Sequence, residues 1–245
     1  MDFEYIIDSH THWGPSVTMG MSVTTRELQR QQEESGVTHV VIMPFPSTAI
    51  ENNEINLKVL EETKRVQNFI PYHYIRENYD RVGFDPIPTA YFGGKWHWMR
   101  GIQDSTSNYK VLKDKALPEL VEKIDYTKKP VIFEEELEFT REFADSFPES
   151  ILIIPHLGRL GGHPSDFLNS FKNHNNIYFD TALASPNTIL EFIETVGPER
   201  VLFGSDVPFG SMKSELSKIL SLPISYVDKV CVLSKNIIAL AHLTV

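Results

Sequence analysis

The feature that most constrains this chain is a rhythm. Short apolar runs rich in Val, Ile, Phe and Leu recur along it, separated by segments with helical spacing. The β-type runs fall at 4–10, 38–45, 69–75, 96–102, 130–135, 150–158, 177–182 and 200–207. Most are apolar without alternation, as expected for strands covered by helices on a parallel sheet; a solvated face would show every second residue polar. Helical segments at 24–36, 53–67, 117–127, 138–147, 163–173 and 185–197, and from 213 onward, come between or after them. Thr24 or Thr25 can cap the first and Gly36 end it, while Ser185 caps a later one whose first helical residue is Pro186. The stretch 76–95 breaks the rhythm, and its glycines and prolines predict a long loop or a degenerate helix.

Eight such units in 245 residues predict a (β/α)8 TIM barrel, a single domain spanning 1–245. An open doubly wound sheet would carry a glycine-rich phosphate turn after its first strand, and "DSHTHWGP" has none. The fold in turn says where to look for chemistry, because barrel active sites lie at the C-terminal ends of the strands.

Metal-type ligands stand at five of those ends. The first strand runs into Asp8, His10 and His12, the fifth into Glu134, Glu135 and Glu136, the sixth into His156, the seventh into Asp180 and the eighth into Asp206. Side chains alternate along a strand, so His10 and His12 share a face, about 6–7 Å apart. By the same parity Leu202, Gly204 and Asp206 share one face, and Leu152, Ile154 and His156 another. Imidazole and carboxylate suit Zn²⁺ or a similar divalent ion, and a catalytic site keeps one position open for water.

Composition narrows the partners. With 33 acidic against 23 basic residues the net charge is −10, and no run of Lys or Arg exceeds two, which disfavours a nucleic-acid partner. No stretch approaches the roughly 18 apolar residues of a membrane span, and Asp2 and Glu4 stand where a secretory signal would be positive. The single cysteine, Cys231, excludes an internal disulfide and fits a reducing compartment. The expectation is a cytoplasmic protein acting on a small molecule, with a homo-oligomer left open.

Five stretches carry a resemblance: "IIDSHTHWGP", "PVIF", "ILIIPHLG", "IYFDTA" and "RVLFGSDVPFG", followed by "VLSKNIIALAHL" at the end. In this order they resemble the amidohydrolase superfamily, close to the amidohydrolase-related branch that also holds metal-dependent decarboxylases and lactone hydrolases. The resemblance implies that His10 and His12 are metal ligands and that Asp206 is a ligand or the base beside the activated water. It makes His156 a second-metal ligand or a group that polarises the substrate carbonyl. Strand 5 departs from the branch pattern P-V-x-x-H, with Glu134 in place of the histidine. Glu134 replaces imidazole at one metal, bridges two, or marks a site that has lost its usual chemistry. A one-residue shift in register would turn Glu135 inward instead.

The implied cofactor is one divalent ion, Zn²⁺ in the first instance, or two if Glu134 bridges. Asp180 is read either as hydrogen-bonding a ligating histidine or as capping its turn. Arg159 is a candidate anchor for a substrate carboxylate, and Trp13, with His97, Trp96 and Trp98, for an aromatic pocket wall. Because the indole and imidazole of neighbouring strand residues face opposite ways, His97 and Trp98 cannot both point into the barrel. The implied reaction is hydrolysis of a C–N, C–O or lactone bond, with non-oxidative decarboxylation as the second reading. A metal-dependent nuclease conflicts with the charge, and a non-catalytic binding barrel would draw its support from Glu134 alone.

Overall fold

A computed structural model describes residues 3–76 and 85–244. Eight strands pair in chain order, each parallel to the next: β1 (Ile7–His12), β2 (His39–Met43), β3 (Phe69–Tyr74), β4 (Gly93–Trp96), β5 (Val131–Phe133), β6 (Leu152–Ile154), β7 (Ile177–Asp180) and β8 (Val201–Leu202). The segment after β8 returns to β1. Ser9 N donates to Phe203 O at 2.9 Å, Asp206 N to His10 O at 2.8 Å and His12 N to Val207 O at 2.9 Å. The expected (β/α)8 barrel is the observed architecture.

The covering helices are α1 (Thr25–Ser35), α2 (Pro46–Glu51), α3 (Ile55–Arg65), α4 (Leu117–Tyr126), α5 (Leu137–Ser146), α6 (Pro164–Phe171), α7 (Pro186–Val196), α8 (Met212–Ser221), α9 (Tyr226–Val230) and α10 (Asn236–Leu240). Their ends follow local chemistry. Thr24 accepts from Glu27 N at the start of α1, Gly36 closes it at φ 85°, and Ser185 accepts from Thr188 N ahead of Pro186 in α7. No helix among the described residues is long and apolar enough to cross a membrane.

Alternation along the strands divides the apolar residues into two cores. Ile7, Val41, Met43, Ile70, Tyr72, Ile132, Ile153 and Leu202 form the barrel interior, closed by Ile237 and Ala241 from the C-terminal helix. Residues of opposite parity, among them Val40, Ile42, Val131, Phe133, Leu152 and Ile154, pack outward under the helices. The interior is apolar below, and its upper layer is polar. Lys95, Glu134 and Asp180 follow the inward parity of their strands above that floor.

The structure corrects three expectations. The fourth barrel strand is Gly93–Trp96, not 96–102; Met99–Gly101 instead pairs antiparallel with Asp104–Ser107 in a hairpin beyond β4. The glycines that read as a loop are needed inside the barrel. A Cβ on Gly93 would stand 2.4 Å from Cζ of Tyr72, so the strand accepts only glycine beneath that ring. Of the predicted loop or degenerate helix at 76–95, residues 77–84 lie outside the described residues, and 85–92 form no helix. On β6 the inward residue is Ile153, while Leu152 and Ile154 face the helices, the reverse of the expected parity.

Candidate active site

His10 and His12 reach the same point because β1 carries a bulge. Asp8 stands opposite Val40 and Thr11 opposite Ile42, so three steps on β1 match two on β2. The extra residue lets Ile7 point into the floor while His10 and His12 both face the mouth. After β8 the backbone turns sharply at Asp206, in the left-handed region at φ 54°. Its carboxylate is thereby turned back over the two histidines, with Oδ1 3.5 Å from His10 Nε2 and 3.2 Å from His12 Nε2. One ligand atom from each of His10, His12 and Asp206 lies within 4.8 Å of the others, and all three residues are buried.

His156 arrives by another route. The chain leaves β6 at Pro155 and takes left-handed backbone at His156 (φ 54°) and Leu157 (φ 53°). This places His156 Nε2 3.2 Å from Asp206 Oδ2, the other oxygen of that carboxylate, with its ring stacked on His10 at 5.1 Å. Asp180 ties these two histidines together. Its Oδ2 stands 2.9 Å from His10 Nδ1, and its Oδ1 accepts from His156 N at 3.1 Å and from Ala182 N at 3.0 Å. Both sequence readings of Asp180 hold: it binds a histidine and caps its own turn.

The charges interlock. Burial opposes the Asp206 carboxylate, but His10, His12 and His156 together hold it well below its usual range. Burial likewise pulls the His156 imidazole down, and the carboxylates of Asp206, Glu134 and Asp180 outweigh it and raise it. Asp8, wholly buried, is pushed up to about 7 by burial although its Oδ1 accepts from the backbone of His10 and Ser205. His10 Nε2 and Asp206 Oδ1 are buried and make no hydrogen bond among the described residues. Orphaned acceptors aimed at one point are what a cation would satisfy, so the residues present fit a divalent ion.

Glu134 stands apart from that group. It takes the inward parity on β5, and its Oε2 accepts from the ammonium of Lys95, the β4 residue opposite Ile132 and so one inward position below. Glu135 turns away from the cavity, where Oε1 accepts from Trp98 N at 2.6 Å. Burial pushes its carboxyl up to about 8. His97 Nδ1 donates to the Glu134 carbonyl, which leaves the other edge of the ring toward the cavity. Trp96 and Trp98 stack with centroids 3.7 Å apart in the outer core, so of this run only His97 faces the site.

Over these groups lies a cavity of about 520 Å³, lined by His12, His97, Glu134, His156 and Asp206 on its polar side. Phe45 stacks on His12 at 4.6 Å, and Phe209 meets the same ring edge-on at 6.0 Å. The two remaining sequence candidates lie outside the lining. Arg159 is exposed, with Nη1 donating to Leu183 O at 2.9 Å, and Trp13 packs outward with its indole N–H on Thr25 at 3.0 Å. Lys95 was not a candidate, because "FGGK" carries the signals of a turn rather than of a strand end.

Residues 131–241, from β5 to the end of the last helix, match the family model described as amidohydrolase. That match covers the C-terminal part of the chain, just under half of its length. Solved structures share this barrel over nearly their whole length. A 2,6-dihydroxybenzoate decarboxylase from Rhizobium superposes with a TM-score of 0.77 at 13% identity, over 98% of this chain and 99% of the other. An amidohydrolase from Burkholderia multivorans, solved with bound zinc, gives 0.77 at 11% identity over 98% and 100%. A dihydroxybenzoic acid decarboxylase from Polaromonas sp. JS666, with bound manganese and the inhibitor 2-nitroresorcinol, gives 0.75 at 13% over 98% and 97%. At these identities the likeness concerns the fold. No curated protein matches this chain in sequence.

Proposed function

We propose that this chain is a metal-dependent hydrolase of a small-molecule C–N, C–O or lactone bond, with His10, His12 and Asp206 holding one divalent ion, zinc in the first instance. The observation that carries the reading is the buried His10–His12–Asp206 group with its orphaned acceptors. Such an ion lowers the pKa of a water and polarises a carbonyl. Asp180 fixes the His10 ring by its hydrogen bond at Nδ1, which leaves Nε2 as the ligating atom. Asp206 takes the proton of the attacking water. His156, with Nε2 3.2 Å from Asp206 Oδ2, hands a proton to the leaving group. Phe45, stacked on the His12 ring, gives that exchange an apolar wall.

Metal-dependent decarboxylation is the second reading, favoured by two of the solved structures above, which are named as decarboxylases. It would use the same groups, with His156 protonating carbon. The deciding experiment has two parts. Elemental analysis of the purified protein is expected to find about one ion per chain, lost in His10→Ala; a metal-free protein after growth with zinc or manganese sinks both readings. A panel of amides, lactones and carboxylic acids is then followed for hydrolysis and for carbon dioxide release. Carbon dioxide without hydrolysis would select decarboxylation.

A further inference from the structure

The chemistry proposed above leaves Lys95 and Glu134 unused. The Lys95 side chain is fully buried, and its ammonium donates to Glu134 Oε2. Glu134 opens into the cavity at 17% side-chain exposure, and its Oε1 accepts no hydrogen bond among the described residues. Burial alone would favour the neutral acid, but Lys95, His97 and His156 hold the carboxyl well below its usual range. One oxygen is thus committed to a buried cation and the other faces an empty volume.

The surroundings narrow what can fill it. The lining is apolar at Phe45, Met99, Ile102, Leu160, Leu183 and Phe209, and among the described residues no lysine or arginine lines the cavity. Lys95 cannot reach a ligand, since Glu134 lies between. An anionic group brought beside Glu134 would meet that carboxylate at close range, with no lysine or arginine among the described lining residues to offset the repulsion. A donor, in contrast, would complete the acceptor that the protein leaves open.

We propose that Glu134 is an acceptor for the substrate rather than a metal ligand, and that the substrate is a small molecule with an apolar body, an O–H or N–H donor remote from the reacting bond, and no second anionic group. This rests on the metal-dependent reading, because it presumes that the reacting end of the substrate meets the His10–His12–Asp206 group. Lys95 is a positioning residue that keeps the Glu134 carboxylate charged and aimed outward. A site built to pair with a donor rejects the analogue that lacks one, since its own buried acceptor is then left unmet.

The test uses the zinc-loaded protein and benzohydroxamates, whose hydroxamate end binds zinc, carrying a hydroxymethyl, methyl or carboxylate group at the meta or para position. By calorimetry the hydroxymethyl compound of one series is expected to bind about tenfold more tightly than its methyl counterpart, and the carboxylate about tenfold more weakly. In Glu134→Gln the zinc content is expected to stay unchanged and the penalty on the carboxylate to vanish, because the amide can donate. Equal binding of all three compounds by the zinc-bound wild type would overturn the proposal alone. So would loss of zinc in Glu134→Gln, which would return Glu134 to the metal centre. A wild type that takes up no zinc overturns the metal reading and this proposal with it. The wild-type comparison stands even where the substitution impairs folding.

Discussion

Asp180 touches neither the cavity nor a substrate, yet two of the three histidines around Asp206 depend on it. One oxygen fixes the His10 ring and the other holds the backbone turn that delivers His156. Asp180→Asn keeps the shape but offers an amide where His10 Nδ1–H needs a full acceptor. Metal affinity is expected to fall about 10- to 100-fold, measured by competition with a chelator. Glu135 makes a different prediction. Its carboxyl is raised from 4.5 to about 8, so the folded protein binds the proton more tightly than the unfolded chain does. The stability this gives is full below about 4.5 and is lost as pH rises toward 8. Urea titrations across that range should show a decline that is flatter in Glu135→Gln; an unchanged slope would rule out Glu135 as its source.

Elements deliver these side chains by departing from regularity. The bulge in β1 reverses parity between Ile7 and His10, and left-handed backbone turns His156 and Asp206 over the barrel mouth. The strand β4 depends on a missing side chain: Gly93 lies under the ring of Tyr72, where a Cβ would come within 2.4 Å of Cζ. Gly93→Ala is expected to cost about 1–3 kcal/mol by overpacking. Tyr72→Leu in the same chain should recover part of that loss, because contacting sites are not additive. Denaturant midpoints of the two single variants and the double variant test this; strict additivity would mean that ring and strand do not meet. The irregular features are also those that sequence periodicity reads poorly. It gave the wrong inward face to β6 and missed β4, because it assumes unbroken alternation and takes paired glycines as a turn.

At the scale of the whole molecule the barrel joins its two chain ends. The candidate ligands from β1 and from the segment after β8 are about 196 residues apart in sequence and meet only when the barrel closes. An ion bound there would cross-link first and last strands. Zinc at about a hundred times its dissociation constant should therefore stabilise the fold by about 2.7 kcal/mol. The melting temperature is expected to rise with zinc in the wild type and to stay flat in Asp206→Asn. A rise of equal size in that variant would place the ion elsewhere. The floor has its own closure, since Ile237 seats in the interior core. Ile237→Ala should cost about 2–5 kcal/mol, seen as a lower denaturant midpoint with zinc stoichiometry unchanged.

The sequence by itself determined the barrel and its polar mouth. Strand and helix signals are local, set by burial on two faces, by caps at Thr24 and Ser185, and by the recurrence of eight units. It also brought forward His10, His12, His156 and Asp206, because position at a strand end is enough to nominate a residue once the fold is known. Tertiary structure decided what each of them faces. The partner of Glu134 is a lysine 39 residues earlier, on a strand hidden behind turn-forming glycines. Arg159 and Trp13 left the cavity because the backbone at Leu183 and the hydroxyl of Thr25 were nearer partners. Such pairings are set by distances across the barrel, to which periodicity along the chain is blind.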